Sequence, residues 1–129
     1  MHVRTLPTTE TITVTLTLGN TVQLANPELW QFINGHDGQI PVSGEDASTA
    51  TWSDIPAPQQ GGLLDLTVFW NAFEPQHDQW IYPAIIEVTD QDGERLTGVG
   101  GSNPNAVPCK IGESQPSFGR GSHAVFVEA

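Results

Sequence analysis

Hydrophobic and polar residues alternate most strictly near the N-terminus of the chain. Between Thr11 and Leu18, four threonines alternate with four aliphatic residues, which is the side-chain period of a pleated strand. All eight residues are β-branched or leucine, so local propensity favours the same structure as the pattern. One face of this strand must be buried and the other hydrated, which is typical of an antiparallel sheet. We therefore predict a strand with a threonine-covered outer face.

Several other short apolar runs are separated by turn-forming residues. The segments 63–70, 80–89 and 122–128 are rich in β-branched and aromatic residues, which predicts strands. The Gly19-Asn20 pair predicts a hairpin turn from the threonine-rich strand into a return strand at 21–24. Strand signals that recur in this way favour an antiparallel β-sandwich or a jelly roll. No linker-like segment divides the chain, so we expect one domain over residues 1–129.

One short segment near residues 27–34 predicts a helix. Asn26 is a suitable N-cap, Pro27 suits the first helical position, and Gly35 can end the helix. Four apolar residues fall on one face of such a helix at positions i, i+1, i+3 and i+4. These residues are Leu29, Trp30, Phe32 and Ile33. The predicted fold class is therefore all-β, with one short helix.

The charge of the chain limits its partners. Fifteen acidic residues stand against four basic ones, and the net charge is −11. Phosphate backbones and anionic lipid headgroups require Lys and Arg for neutralisation, so we expect neither a nucleic acid nor a membrane as partner. A neutral ligand, a cation or a basic protein remains open. Charged residues make up only 15% of the chain, so neutral hydrogen-bonding side chains must cover much of its surface.

Targeting signals and paired cysteines are lacking. Cys109 is the only cysteine, so an intrachain disulfide and a thiolate zinc cluster are excluded. No apolar run approaches the roughly 20 residues of a membrane span. The first residues lack the apolar core of a secretory signal. The default expectation is a cytoplasmic protein, with non-classical export left open.

Residues 70–80 connect two of the predicted strands and combine aromatic, amide and acidic side chains. Sugar recognition needs this combination, because a pyranose face packs on an aromatic ring while amides and carboxylates bind its hydroxyls. The candidate ligand-binding residues in this segment are Trp70, Asn71, Glu74, His77, Asp78 and Trp80. The alternative is that the tryptophans are core residues at strand ends and that the polar residues form an ordinary solvated loop.

A His-Asp dipeptide occurs in two loops, as His36-Asp37 and as His77-Asp78. If the loops converge, the four side chains could bind a metal ion or form an acid–base pair, so His36 and Asp37 join the candidate ligand-binding residues. The alternative is that these histidines are exposed loop residues. We predict no cofactor and no bound metal, with Ca²⁺ left open because residues 90–94 carry part of an oxygen-ligand pattern. A tight turn explains that segment equally well.

The chain carries no usable serine-nucleophile or phosphate-loop motif, so we predict that it is not an enzyme. The favoured function is a lectin-like binding module that recognises a neutral carbohydrate through loop residues at one end of the sandwich. One alternative is a structural or assembly protein, such as a virion or surface component, because the edge of the threonine-rich strand lacks the lysines that usually protect an edge. The others are an acidic inhibitor of a protein partner and a metal-dependent enzyme. A homo-oligomer remains open.

Overall fold

The computed structural model describes residues 1–33, 36–74, 81–111 and 118–129, without the side chains of Ile33, His36 and Asp37. Within these ranges β-strands form all of the regular secondary structure, which confirms the all-β prediction. The strands are β1 (His2–Arg4), β2 (Thr11–Leu18), β3 (Gln23–Ile33), β4 (His36–Ile40), β5 (Gly44–Glu45), β6 (Thr49–Pro56), β7 (Leu63–Phe73), β8 (Ile81–Asp90), β9 (Thr97–Gly98), β10 (Asn105–Lys110) and β11 (Phe118–Glu128). This part of the chain therefore holds no helix long and apolar enough to cross a membrane.

The strands form two sheets. The six-stranded sheet has the order β4-β3-β7-β11-β1-β9, and the five-stranded sheet has the order β10-β8-β2-β6-β5. Neighbouring strands are antiparallel, except that β1 runs parallel to β11. Buried apolar side chains from both sheets, such as Leu16 and Leu66, belong to one core cluster. Because the long strands β2, β7 and β8 bury alternate residues, the arrangement is sandwich-like.

The threonine-rich segment forms strand β2 with the predicted bounds. Its aliphatic residues are buried and its threonines lie on the outer face. However, β2 is paired with β6 on one side and with β8 on the other. Both edges of β2 are therefore covered by this chain, and no second subunit is needed to cover them.

The predicted hairpin after β2 is not formed. The Val22 amide donates to the Gly19 carbonyl at 3.3 Å, and Asn20 and Thr21 both have positive φ angles, so the chain does turn there. The next strand, β3, nevertheless pairs with β4 and β7 in the other sheet. The turn thus carries the chain from one sheet to the other.

The predicted helix at residues 27–34 is wrong, because strand β3 runs through to Ile33. The pairing of β3 with β7 shifts between Ala25 and Glu28, which is the register of a β-bulge. Asn26 has a φ of 49°, a left-handed conformation that asparagine adopts more readily than most residues. Pro27 has no amide hydrogen to donate to a ladder, so a bulge is one of the few places in a sheet that accept it. The residues that favour a helix start therefore form a bulge.

Candidate functional site

Aromatic side chains cover the outer face of the six-stranded sheet. Along β7, alternate residues from Leu64 to Ala72 are buried, so the residues between them point away from the core. The register with β3 and β11 places further aromatic residues on the same side. We call this surface the aromatic face, and its rings are Trp30, Phe32, Phe69, Phe73, Phe118 and Phe126. It includes all five phenylalanines of the chain.

Several of these rings are in contact with water. The exposed fraction is 36% for Phe32, 37% for Phe69 and 42% for Phe118. The large aromatic residues of the core, by contrast, are Trp52, Trp70 and Tyr82. On a folded protein, a cluster of exposed apolar side chains commonly marks a surface that binds another molecule. The aromatic face is therefore the first candidate for a binding surface.

Polar side chains lie between the rings. Asn71 on β7 is paired with Arg120 on β11, and Phe69 is flanked by Glu28 on β3 and Ser122 on β11. Directly opposite residues on one face of a sheet have Cβ atoms about 5 Å apart. The rings of the aromatic face are thus within reach of amide, hydroxyl, carboxylate and guanidinium groups.

A cleft of about 290 Å³ opens in this face beside the bulge of β3. It is lined by Asn26, Glu28, Phe69, Trp70, Asn71, Arg120 and Gly121. The bulge inserts one extra residue into β3, which brings Asn26 to the cleft beside Glu28. Two amides, one carboxylate and one guanidinium therefore surround one phenyl ring.

Trp70 forms the inner wall of this cleft and is not an exposed stacking ring. Its side chain is 2% exposed, and its Nε1 donates a hydrogen bond to the hydroxyl of Tyr82 at 2.9 Å. A Cβ atom on Gly121 would overlap the indole, so the ring lies directly against the backbone of β11. Burial raises the pKa of Tyr82 to about 12, because the phenolate would lose its hydration. Trp70 is thus a core residue near the end of a strand, as the alternative interpretation of the segment 70–80 expected, and it also lines the cleft.

Arg120 is the basic residue of the cleft. Its guanidinium carbon lies 5.9 Å from the centroid of the Phe118 ring, which is the range of a cation–π contact. Among the described residues, Arg4 and Arg95 form ion pairs with Glu128 and Glu87, whereas Arg120 forms none. Arg120 therefore lines the cleft without a carboxylate partner from these residues.

The predicted site residues fall into three groups. Trp70 and Asn71 both line the cleft. Glu74 follows the end of β7, is 1% exposed and accepts a hydrogen bond from the Thr21 hydroxyl at 3.3 Å, so it lies in the interior. His77, Asp78 and Trp80 lie outside the described residues, and their role stays a prediction.

His36 and Asp37 lie on the edge strand β4, where their backbones pair with Ile33 and Phe32. Phe32 is in turn opposite Asp65, near the start of β7. The chain leaves β7 after Phe73, eight residues later, which corresponds to about 26 Å along the strand. The backbone of the first His-Asp pair is therefore far from the strand end that leads to the second pair.

The described residues also show the surroundings of the possible metal ligands and of Cys109. They contain no group of three or more His, Cys, Asp or Glu side chains that could hold a metal ion. In the segment 90–94, Oδ1 of Asp90 accepts hydrogen bonds from the amides of Asp92 and Glu94, which is the geometry of a capped turn. Cys109 is half-buried, and this burial raises the pKa of its thiol, which disfavours the reactive thiolate.

Five residues that line the cleft were not predicted from the sequence: Asn26, Glu28, Phe69, Arg120 and Gly121. A signal for Phe69 was present in the segment 63–73, because Phe69 and Phe73 occupy the phase opposite to Leu64, Leu66 and Val68. Two apolar sets in opposite phase indicate a strand that is apolar on both faces. Nothing in the sequence indicated that β3 and β11 would flank this strand.

Neither a protein-family model nor a curated protein nor a solved structure matches this chain. The function is therefore inferred from the residues of the aromatic face and its cleft. These residues combine flat apolar rings with groups that both donate and accept hydrogen bonds.

Proposed function

We propose that this protein is a non-enzymatic, lectin-like module that binds a neutral carbohydrate on the aromatic face. The observation that carries the proposal is that every phenylalanine of the chain lies on this outer surface, among neutral and charged hydrogen-bonding groups. The C–H face of a sugar ring packs on a phenyl ring, while amide and guanidinium groups bind its hydroxyls. The site we propose lies on the sheet, and not only in the loop 70–80.

The charge of the protein supports a neutral ligand. With a net charge of −11, the protein repels phosphate backbones and anionic lipid surfaces at long range. A neutral glycan meets no such barrier, and its binding needs no counter-charge. Within the cleft, Glu28 and Arg120 bring one negative and one positive group, so the local charge is balanced.

The cleft supports binding more than hydrolysis. Most glycosidases place two carboxyl groups on either side of the scissile bond. Glu28 is the one carboxylate among the residues that line the cleft. Binding by ring packing and hydrogen bonds needs no second carboxylate, so we propose no catalytic residue.

The alternative of an assembly protein has lost its main support. It depended on an uncovered edge of the threonine-rich strand, and β6 and β8 cover both edges of β2. A second copy packed on the aromatic face would restore it, so the experiment below measures association as well.

We also propose that residues 1–129 form a single jelly-roll-like domain, in support of which the buried apolar residues of both sheets belong to one cluster. A cytoplasmic location stays an expectation.

The test is a screen of neutral glycans followed by calorimetry, with Phe69→Ala as the main variant. We expect at least tenfold weaker binding, equivalent to about 1.4 kcal/mol, because the ring at the centre of the cleft is lost. The matched control is Thr15→Ala, on the outer face of the other sheet, which should bind as the wild type does. Melting curves should be similar for all three proteins.

Two outcomes would count against the proposal. One is a screen in which no neutral glycan binds to the folded wild-type protein. The other is a dimer, detected by analytical ultracentrifugation, that Phe69→Ala dissociates. In the second case a copy of the chain, and not a glycan, covers the aromatic face.

A further inference from the structure

We propose that the ligand is an extended, linear chain of several sugar units that lies along β7, and not a single terminal sugar. This inference rests on the carbohydrate-binding function proposed above. It concerns the length of the ligand, which the cleft alone does not determine. The evidence is the spacing of the rings along the strand.

The rings of the aromatic face occur at four levels of β7. Phe73 is paired with Phe118 at one end, Phe69 lies in the middle, Trp30 is paired with Thr67, and Phe32 and Phe126 flank Asp65 at the other end. Phe73 and Asp65 are eight residues apart, so the whole row spans about 26 Å. This length exceeds what one sugar ring can cover.

Hydrogen-bonding groups lie among these rings. Asn71 and Arg120 lie between the levels of Phe73 and Phe69, and Thr67 lies beside Trp30, between the levels of Phe69 and Asp65. Rings and hydrogen-bonding groups therefore occur together along the whole row. A linear polysaccharide presents apolar ring faces and hydroxyl edges along its whole length, whereas a terminal sugar would use one level only.

The terminal rings support the same conclusion. Phe32 at one end and Phe118 at the other are about as exposed to water as Phe69, at 36% and 42% against 37%. If the cleft around Phe69 bound a single sugar, both terminal rings would stay uncovered. A ligand along β7 covers the rings at both ends and in the middle at once.

A second copy of the protein is a poorer occupant of this surface. A second copy would carry the same net charge of −11, so the two copies would repel each other. A twofold interface would also bring the acidic groups Glu28 and Asp65 of both copies to the same surface. A neutral chain carries no such penalty. The charge of the protein thus favours the extended glycan over self-association.

The experiment is calorimetry with β-1,4-linked oligomers of glucose, xylose, mannose and N-acetylglucosamine, each from two to six units long. We expect affinity to rise with length, by at least tenfold between two and six units in the preferred series. Phe32→Ala and Phe118→Ala should weaken binding of the six-unit oligomer several-fold more than binding of the two-unit oligomer. Phe69→Ala should weaken both, and Thr15→Ala should weaken neither.

The outcomes separate the two proposals. Equal affinity for short and long oligomers would overturn the extended ligand and leave carbohydrate binding intact. Binding of no oligomer would overturn both. As a check on folding, Phe32→Tyr and Phe118→Tyr retain a ring at each end and should restore the dependence on length.

Discussion

The two outer faces of this molecule differ sharply in composition. On the five-stranded sheet, the outer side of β2 and of the neighbouring part of β6 is formed by threonines that lie opposite one another, whereas β8 and β10 carry apolar residues such as Ile81, Pro83 and Pro108 on that side. This threonine face consists of Thr11, Thr13, Thr15 and Thr17 on β2, Thr49 and Thr51 on β6, and Thr89 on β8. The six-stranded sheet instead carries the aromatic face. Both sheets bury aliphatic residues between them, so only the outward positions differ.

This difference is the reason why we propose binding on the aromatic face. A threonine satisfies its hydroxyl with water and packs its methyl group on a neighbour, so the threonine face needs no ligand. A phenyl ring has no polar atom to hydrate, and each exposed ring leaves apolar area in water that burial would stabilise. A partner that covered the rings would remove this area from water.

The largest expected effect concerns the inner faces of the two sheets, which both carry buried aliphatic residues. Leu66 on β7 and Leu16 on β2 are both fully buried. We expect Leu66→Ala and Leu16→Ala each to lower the free energy of unfolding by about 3 kcal/mol, through lost burial and the cavity that remains. Urea denaturation measures both. If only one variant were destabilised, the two sheets would not contribute equally to one core.

A buried hydrogen bond between Trp70 and Tyr82 joins the two sheets, and alkaline pH tests how Tyr82 contributes to stability. Tyr82 on β8 accepts the hydrogen bond of Trp70 on β7, and its pKa is raised from 10.0 to about 12. The phenol is neutral in both states below pH 10. Above it the unfolded phenol ionises first, so stability falls between pH 10 and pH 12, by on the order of 2 kcal/mol.

Urea denaturation at several pH values measures this loss. The chain has only one tyrosine, so Tyr82→Phe is a clean control and should show a shallower alkaline decline. An equally steep decline in Tyr82→Phe would assign the effect to other groups, such as the thiol of Cys109.

Gly121 tests whether the cleft depends on the close packing of Trp70. A side chain on Gly121 would overlap the indole, whereas a Cβ on Gly38 of β4 would meet nothing within 4 Å. We expect Gly121→Ala to cost about 2 kcal/mol, as overpacking does, and Gly38→Ala to cost much less. Thermal unfolding compares the two variants. Equal melting temperatures would show that the indole can move away without cost.

The smallest effect on stability should come from exchanging residues between the two kinds of face. Phe69→Thr places a residue typical of the threonine face on the aromatic face, and we expect the free energy of unfolding to change by no more than about 0.5 kcal/mol. Retention on a hydrophobic interaction column should nevertheless decrease, because exposed apolar area is lost. Thr15→Ser, on the threonine face, should leave retention unchanged. A large loss of stability in Phe69→Thr would mean that the ring supports the fold.

Strands were predictable from the sequence where apolar and polar residues alternate or where β-branched and aromatic residues are concentrated. The segment 11–18 forms β2 with the expected bounds, and the segments 63–70, 80–89 and 122–128 lie almost entirely within β7, β8 and β11. In each case alternation or β-branched content agrees with the local conformation. These signals depend on neighbouring residues alone, which is why they are visible in the sequence.

The incorrect helix prediction arose in β3, where apolar residues lie on both faces of the strand. In β3, Leu29 is buried while Trp30 and Phe32 lie on the aromatic face, so the apolar residues follow one another as they would on a helix. The preceding Asn26 and Pro27 also suit a helix start, and only the pairing with β7 makes them a bulge. For the candidate site, Trp70 and Asn71 were predicted and line the cleft, but Asn26, Glu28 and Arg120 come from strands distant in sequence.

The sequence by itself determined that the chain is built of strands, that β2 has a threonine face and that the protein is strongly acidic. These properties follow from residue types and their local period. Only the tertiary structure decided that the edges of β2 are covered and that all five phenylalanines share one outer surface. Strand order and register bring together residues that are up to about a hundred positions apart, and no local pattern encodes which strands become neighbours.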